Sequence, residues 1–279
     1  MSKVWLITGA SSGLGAALAA AALQNGHKVA ATFRKPEQAA DFTTQNSGAG
    51  LGIVLDVTSQ EQVTAGVQQA IEHFGRIDVL VNNAGYGTIG AIEEFSMEEV
   101  RQQFEANFFG AVALTKQVLP AMRQQGSGQI LFISSAAGFK ATGGFGVYNS
   151  SKFALEGFAE ALAQEVGALG IRVTIVQPGP FRTQFAGSSV KLAQQRMDEY
   201  KQTPVAQMYH YISRIDGKQE GDPEKGAHAI IDFVASDSKT LRLPLGKHSL
   251  DAIRAKLRAV ASDLDANERI ALSTMYEGK

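Results

Sequence analysis

Ser135, Tyr148 and Lys152 are the residues whose types and spacing suggest chemistry. Tyr148 and Lys152 stand four apart in Tyr-Asn-Ser-Ser-Lys, and Ser135 lies thirteen residues before the tyrosine. On a helix, positions i and i+4 share a face, which brings the ammonium beside the phenol. A phenol ordinarily titrates near ~10 and is a poor base at neutral pH, and a close cation is expected to lower that value. The group would then give and take a proton. Tyr-x-x-x-Lys alone is a weak signal, because any surface helix can carry it.

Its weight comes from a second motif, Thr8-Gly9-Ala10-Ser11-Ser12-Gly13-Leu14-Gly15. Val4-Trp5-Leu6-Ile7 before it is a short apolar run of strand type, and the alanine-rich stretch Ala16 to Leu23 reads as a helix. Strand, glycine turn and helix are the setting a nucleotide-binding glycine motif requires. Glycines let the backbone bend sharply and approach a pyrophosphate, and free amides at the helix start favour its negative charge. The spacing is Gly-x-x-x-Gly-x-Gly, which differs from the Gly-x-Gly-x-x-Gly dinucleotide fingerprint.

The elements that must position these groups are legible as an alternation. Strands are expected at Lys3–Ile7, Lys28–Phe33, Leu51–Leu55, Val79–Val81, Ile130–Ser134, Arg172–Gln177 and Leu241–Leu243, where short apolar runs lie between turn signals. Helices are expected over 13–25, 36–45, 59–74, 97–124 with a break near Asn107, and 147–168. This rhythm predicts an α/β fold: a Rossmann-like, doubly wound parallel sheet of about seven strands with helices on both faces. Ligands on such sheets bind beyond the carboxyl ends of the strands. Gly9–Gly15, Asp56-Val57, Asn82-Asn83-Ala84-Gly85, Ser134-Ser135 and Pro178-Gly179 all follow strands and so converge on that edge. Residues 181–221 have weak periodicity and read as a helical lid over the site. The tail, 247–279, reads as a charged helical extension with Leu250, Ile253 and Leu257 at core spacing. The whole, 1–279, is expected to be one domain.

Bulk properties narrow the function. Hydrophobic content of 44% and charged content of 19% describe an ordinary globular chain. A formal net charge of −1 argues against a nucleic-acid partner. There are no cysteines, and the five histidines are scattered without ligand spacing, so no metal site is expected. The chain enters a strand within a few residues of its start, with no visible signal peptide, and no apolar run approaches the ~20 residues of a membrane span. The expected location is the cytoplasm, without a membrane partner.

With the glycine turn, Asn-Asn-Ala-Gly and Ser-x12-Tyr-x3-Lys in this order, the chain resembles the short-chain dehydrogenase/reductase family over roughly residues 3 to 183. Phe-Ala-Leu-Glu-Gly after Lys152, and Pro178-Gly179-Pro180 with Thr183, resemble the hydroxysteroid and retinol dehydrogenase branch. The resemblance implies hydride transfer between a nicotinamide dinucleotide and an alcohol or carbonyl carbon. Tyr148 would be the general acid/base, Ser135 would hydrogen-bond the reacting oxygen, and Lys152 would lower the phenol's pKa and bind the nicotinamide ribose. Asn107 would hold a water relay to that lysine. Gly9, Ser11, Ser12, Gly13, Leu14 and Gly15 would take the pyrophosphate. Asp56 would accept from the adenine amino group with Val57 packing nearby. Asn83, Ala84 and Gly85 would line the adenosine side, and Pro178, Gly179, Phe181 and Thr183 the carboxamide side.

Thr32-Phe33-Arg34-Lys35 carries no acid at the end of the second strand, where one would bind a ribose 2′-hydroxyl. Arg34 offers a multidentate phosphate donor, so NADP(H) is expected over NAD(H). Phe139, Phe145, Phe185, Met208 and Tyr209 are expected to line a pocket for a small hydrophobic alcohol or carbonyl. Family members assemble as dimers or tetramers, here expected through helices 107–124 and 152–168 with Ala154, Leu155, Phe158, Ala161 and Leu162 in the seam. Two other functions remain open: a catalytically silent NADP(H)-sensing regulator and a sugar-nucleotide epimerase. The first would lack Ser135, Tyr148 or Lys152, and the second uses a different glycine spacing.

Overall fold

The computed structural model describes residues 2–187, 189–236 and 238–276. The elements run β1 (Val4–Ile7), α1 (Gly13–Gln24), β2 (Lys28–Phe33), α2 (Pro36–Gln45), β3 (Gly50–Val54), α3 (Gln60–Phe74), β4 (Val79–Asn82) and β5 (Gly87–Ile89). They continue with α4 (Met97–Phe104), α5 (Gly110–Gln125), β6 (Gly128–Ile133), α6 (Gly146–Val166), β7 (Ile171–Pro178) and β8 (Val190–Leu192). Last come α7 (Pro204–Ile215), α8 (Pro223–Ala235), β9 (Arg242–Leu245) and α9 (Lys247–Leu272).

Seven strands pair in parallel in the order β3-β2-β1-β4-β6-β7-β9. The strand order reverses between β1 and β4, where Ile7 pairs with Ala31 on one side and Val81 on the other. That crevice is where such sheets take ligands. Side chains alternate along each strand, so each strand feeds two cores. Leu6, Leu80, Ile130 and Phe132 face α3, α5 and α6, while Trp5, Ile7, Val79, Val81 and Leu131 face α1 and α8. Ala19 and Ala22 keep α1 close to the sheet.

The break expected near Asn107 within 97–124 is a π-turn, Glu105–Phe109, joining two helices. Three other expectations need correction. Helix α8 and the two-stranded β5–β8 pairing were not expected; Asp222 caps α8 by accepting from the Glu224 and Lys225 amides. In the proposed seam, Leu155 and Leu162 are buried inside the monomer, leaving Phe109, Phe153, Gly157 and Ala161 outward. Leu250 and Leu257 are exposed at 38% and 53%, so the tail packs on the body only through its first turns, where Ser249 is buried and Ile253 half-buried. Among the described residues, no helix is long and apolar enough to cross a membrane and no metal-ligand cluster forms.

Candidate active site

Thr8, just past β1, ties the glycine turn to the loop after β4. Its hydroxyl donates to the Val81 carbonyl (3.2 Å) and accepts from the Asn83 and Ala84 amides, both at 3.0 Å. Asn83 Nδ2 returns bonds to the carbonyls of Thr8 (2.8 Å) and Gly9 (3.1 Å). Thr8 was not among the expected site residues; its place at the head of the glycine motif was the available signal.

Gly9 (φ 67) and Gly13 (φ 60) occupy the left-handed region that disfavours side chains. A Cβ at Gly13 would sit 3.2 Å from Thr183 Cβ, so the turn and the segment after β7 meet there. A Cβ on Gly15 would fall 2.4 Å from Asn83 Nδ2 and 2.5 Å from the Gly9 carbonyl oxygen. Gly15→Ala should therefore destabilise by ~1–3 kcal/mol through overpacking. A melting curve should show a loss of about 2–4 °C per kcal/mol; an unchanged midpoint would mean the turn yields freely.

The first turn of α1 carries no acid, and the side chain of the extended Ser12 before it caps no amide. Those amides remain available to an anion. Ser11, Ser12, Arg34 and Lys35 are exposed around this entrance, and Leu14 packs on the core behind it. Asp56 closes a turn, accepting at Oδ1 from the Thr58 amide (2.9 Å) and hydroxyl (2.8 Å). The cap of α3 is Ser59, so Asp56 is not the helix cap. Val57 packs against Gly110, leaving no room there for a side chain.

Asn107 is buried in the π-turn. Its Oδ1 accepts from the Tyr86 amide (3.0 Å), and its Nδ2 donates to the Tyr86 carbonyl (3.0 Å) and Ser151 Oγ (3.1 Å). The side chain thus straps the loop after β4 to α6. A Cβ on Gly85 would lie 2.8 Å from Asn107 Oδ1 and 3.8 Å from Lys152 Nζ, which places the lysine beside the loop that clamps the glycine turn.

Tyr148 and Lys152 share α6, both 5% exposed. Burial pushes the phenol up to about 12, and the Ser135 hydroxyl opposes this only in part. Burial pushes Lys152 down to about 8 against the pull of Glu156. The ammonium donates to the Ile133 carbonyl at 2.7 Å. The expected lowering of the tyrosine is therefore absent from this state: burial raises the phenol and lowers the lysine, opposing the charged form of each.

Behind Lys152, one turn further along α6, Glu156 is buried with its carboxylate accepting from Ser134 Oγ (2.7 Å) and Gln177 Nε2 (3.0 Å). Burial raises its pKa, opposed by Ser134, Gln177 and Arg242. Arg242 also pairs with Glu160. Ser134, the neighbour that competed with Ser135 on spacing, is thus committed to Glu156. Ser135 faces the site, its oxygen also accepting from the Ala137 amide (3.1 Å).

The phenol ring sits between Phe145 (5.4 Å) and Phe185 (5.5 Å). Phe145, Met208 and Tyr209 join Ile89, Ala186 and Ile212 in an apolar cluster under α7. Phe139 instead stacks under Arg242 at 5.5 Å. The segment 181–221 is hooked to the body by Glu94, which accepts from the Met197 amide (2.8 Å) and the Tyr209 hydroxyl (3.0 Å). Gly179 donates to the Leu245 carbonyl at 2.9 Å, fixing the turn after Pro178, and the Phe181 ring packs on Gly221 and Gly226.

A doubly wound sheet with a serine, tyrosine and lysine gathered beside a glycine turn defines an oxidoreductase. The short chain dehydrogenase family matches residues 3–193. A 3-ketodihydrosphingosine reductase of Bacteroides thetaiotaomicron is 39% identical over 248 residues, 88% of either chain. A short-chain dehydrogenase from Streptomyces avermitilis superposes with a TM-score of 0.93 at 38% identity, covering 99% of this chain and 100% of that one. An alcohol dehydrogenase of Thermococcus sibiricus, solved with 5-hydroxy-NADP, gives a TM-score of 0.71 at 25% identity over 88% of this chain and 96% of that one. The chain belongs to the short-chain dehydrogenase/reductase family and is an oxidoreductase acting on CH–OH and C=O groups.

Proposed function

We propose that this chain is an NADP(H)-dependent reductase of a hydrophobic ketone or aldehyde, with Tyr148 as proton donor. The observation that carries the reading is a buried phenol against two phenylalanines, on one helix with Lys152, which reaches the loop that clamps the glycine turn.

A nicotinamide dinucleotide, as in the Thermococcus neighbour, supplies or accepts the hydride when bound. The chain's residues fit one. The uncapped amides after Ser12, with Gly9, Ser11, Gly13, Leu14 and Gly15, suit a pyrophosphate. Arg34 suits a 2′-phosphate, Asp56 and Val57 the adenine, Asn83, Ala84 and Gly85 the adenosine side, and Lys152 the ribose near the reacting atoms. Pro178, Gly179, Phe181 and Thr183 suit the carboxamide side.

Ser135 then stabilises charge developing on the substrate oxygen while Tyr148 gives that oxygen a proton. A pKa pushed up to about 12 keeps the donor loaded at neutral pH, the form that reduction uses. Asn107 holds the loop and helix that frame Lys152, and a water relay to the lysine runs past it. The apolar cluster under α7 and the name of the Bacteroides relative support a hydrophobic keto substrate. Because Phe185 covers the phenol, the segment 181–221 acts as a lid that opens to admit it. The assembly is a homodimer or homotetramer through α5 and α6.

A panel of ketones assayed by NADPH oxidation, with Tyr148→Phe as blank, tests the reading; no ketone above the blank would defeat it. Arg34→Ala should raise the NADPH KM about tenfold or more, a loss of ~1.4 kcal/mol. The NADH value should move less than about twofold. Equal use of both cofactors by the unaltered chain would remove the case for NADP(H).

A further inference from the structure

We propose that the outer part of α9 is a self-association element, in which two copies of the helix pair antiparallel as a short coiled coil. This goes beyond the assembly through α5 and α6, which uses other surfaces. Every residue from Leu257 to Tyr276 is exposed, including Leu257 at 53%, Val260 at 38% and Leu264 at 67%. A single helix with nothing packed on it is marginal in water, because most helical stability comes from burying an apolar face. The 26 residues of α9 span about 39 Å, and among the described residues their outer part meets no such face within one copy.

The sequence supplies a seam. Leu250, Leu257 and Leu264 recur every seven residues, and Ile253, Val260 and Asn267 recur at the same period three positions on. That is the a/d spacing of a coiled coil over three heptads, apolar at five of its six positions and polar at Asn267.

Charge selects the partner and its direction. From Lys247 to Arg258 the helix carries four cations against the single carboxylate of Asp251. From Ala259 to Leu272 it carries Asp263, Asp265 and Glu268 against the single cation Arg269. A parallel pair would set like charges together. An antiparallel pair sets each basic half against an acidic one, the self-complementary arrangement a two-fold interface requires. Centred between Arg258 and Ala259, this register stacks Leu257 on the partner's Val260 and Ile253 on the partner's Leu264. Lys256 then faces the partner's Asp263. An anionic lipid surface would be repelled by the acidic outer half, which disfavours a membrane as the occupant.

Sedimentation of the full chain tests this. Leu257→Glu/Leu264→Glu should halve the mass of the assembly while NADPH binding stays within about twofold of the unaltered protein. Lys256→Asp should weaken the assembly, and adding Asp263→Lys should restore it. An unchanged mass in the leucine variant would overturn the proposal, as would a charge pair that fails to rescue. So would unaltered protein whose mass is that of a monomer, or flotation with phosphatidylserine vesicles that the leucine variant abolishes without changing the mass.

Discussion

Tyr148→Phe is expected to lower kcat for ketone reduction by ~10²–10⁴, the range a positioned acid contributes. The change removes one hydroxyl and leaves the ring where it packs, 5.4 Å from Phe145 and 5.5 Å from Phe185. Packing and melting temperature should therefore barely move. The hydroxyl's work is confined to the transition state, so kcat should fall while the substrate KM changes little. NADPH binding, followed by its fluorescence, should stay within about threefold. A Phe variant that turns over near the unaltered rate would assign the proton to another group and remove the basis of the proposed reaction.

The parts of this site that depend on local pattern were legible beforehand. Strands buried on both faces announce themselves as apolar runs, and all seven members of the main sheet fell at the expected places. The break at Asn107 was legible too, because Asn-Phe-Phe-Gly interrupts an otherwise helical stretch. Strands of three residues, such as β5 and β8, are too short to show a period. Helix α8 did carry a signal: Asp222-Pro223 at its start and Ile230, Ile231 and Val234 at helical spacing.

Burial is what spacing leaves out. The four-residue interval between Tyr148 and Lys152 correctly brings them onto one helix, but it says nothing of the medium around them. In a buried site desolvation opposes both charges, and here it is the largest cause of each shift. The same omission explains the tail. Leu250 and Leu257 have the interval of core residues, yet they stay 38% and 53% exposed. Glu156 illustrates the reverse case. It stands four residues past Lys152, the interval that had already singled out the lysine, and its role became visible only with Ser134 and Gln177 around it.

Glu156 leads to the second large effect, which concerns Lys152. Lys152→Met should cost about 10²-fold or more in kcat, since the cation beside the reacting phenol is lost. Its melting point should fall by no more than several degrees, because relieved desolvation offsets the lost bond to the Ile133 carbonyl and Glu156 keeps Ser134, Gln177 and Arg242 as partners. The pH dependence separates this from mere damage. With its folded value near 8 and its ordinary value at 10.5, Lys152 is protonated below about 8 and neutral above it. The unfolded chain holds the extra proton between those values. This group's contribution to stability thus rises with pH across that window and falls as pH drops back through about 8. The reduction rate should behave oppositely, flat at neutral pH and falling above about 8 as the ammonium is lost. Glu156 stabilises that ammonium, so Glu156→Gln should move the alkaline limb to lower pH while leaving the neutral plateau nearly intact. A limb unmoved by Glu156→Gln would separate Glu156 from the lysine's charge, and a limb that survives Lys152→Met would assign it to another group.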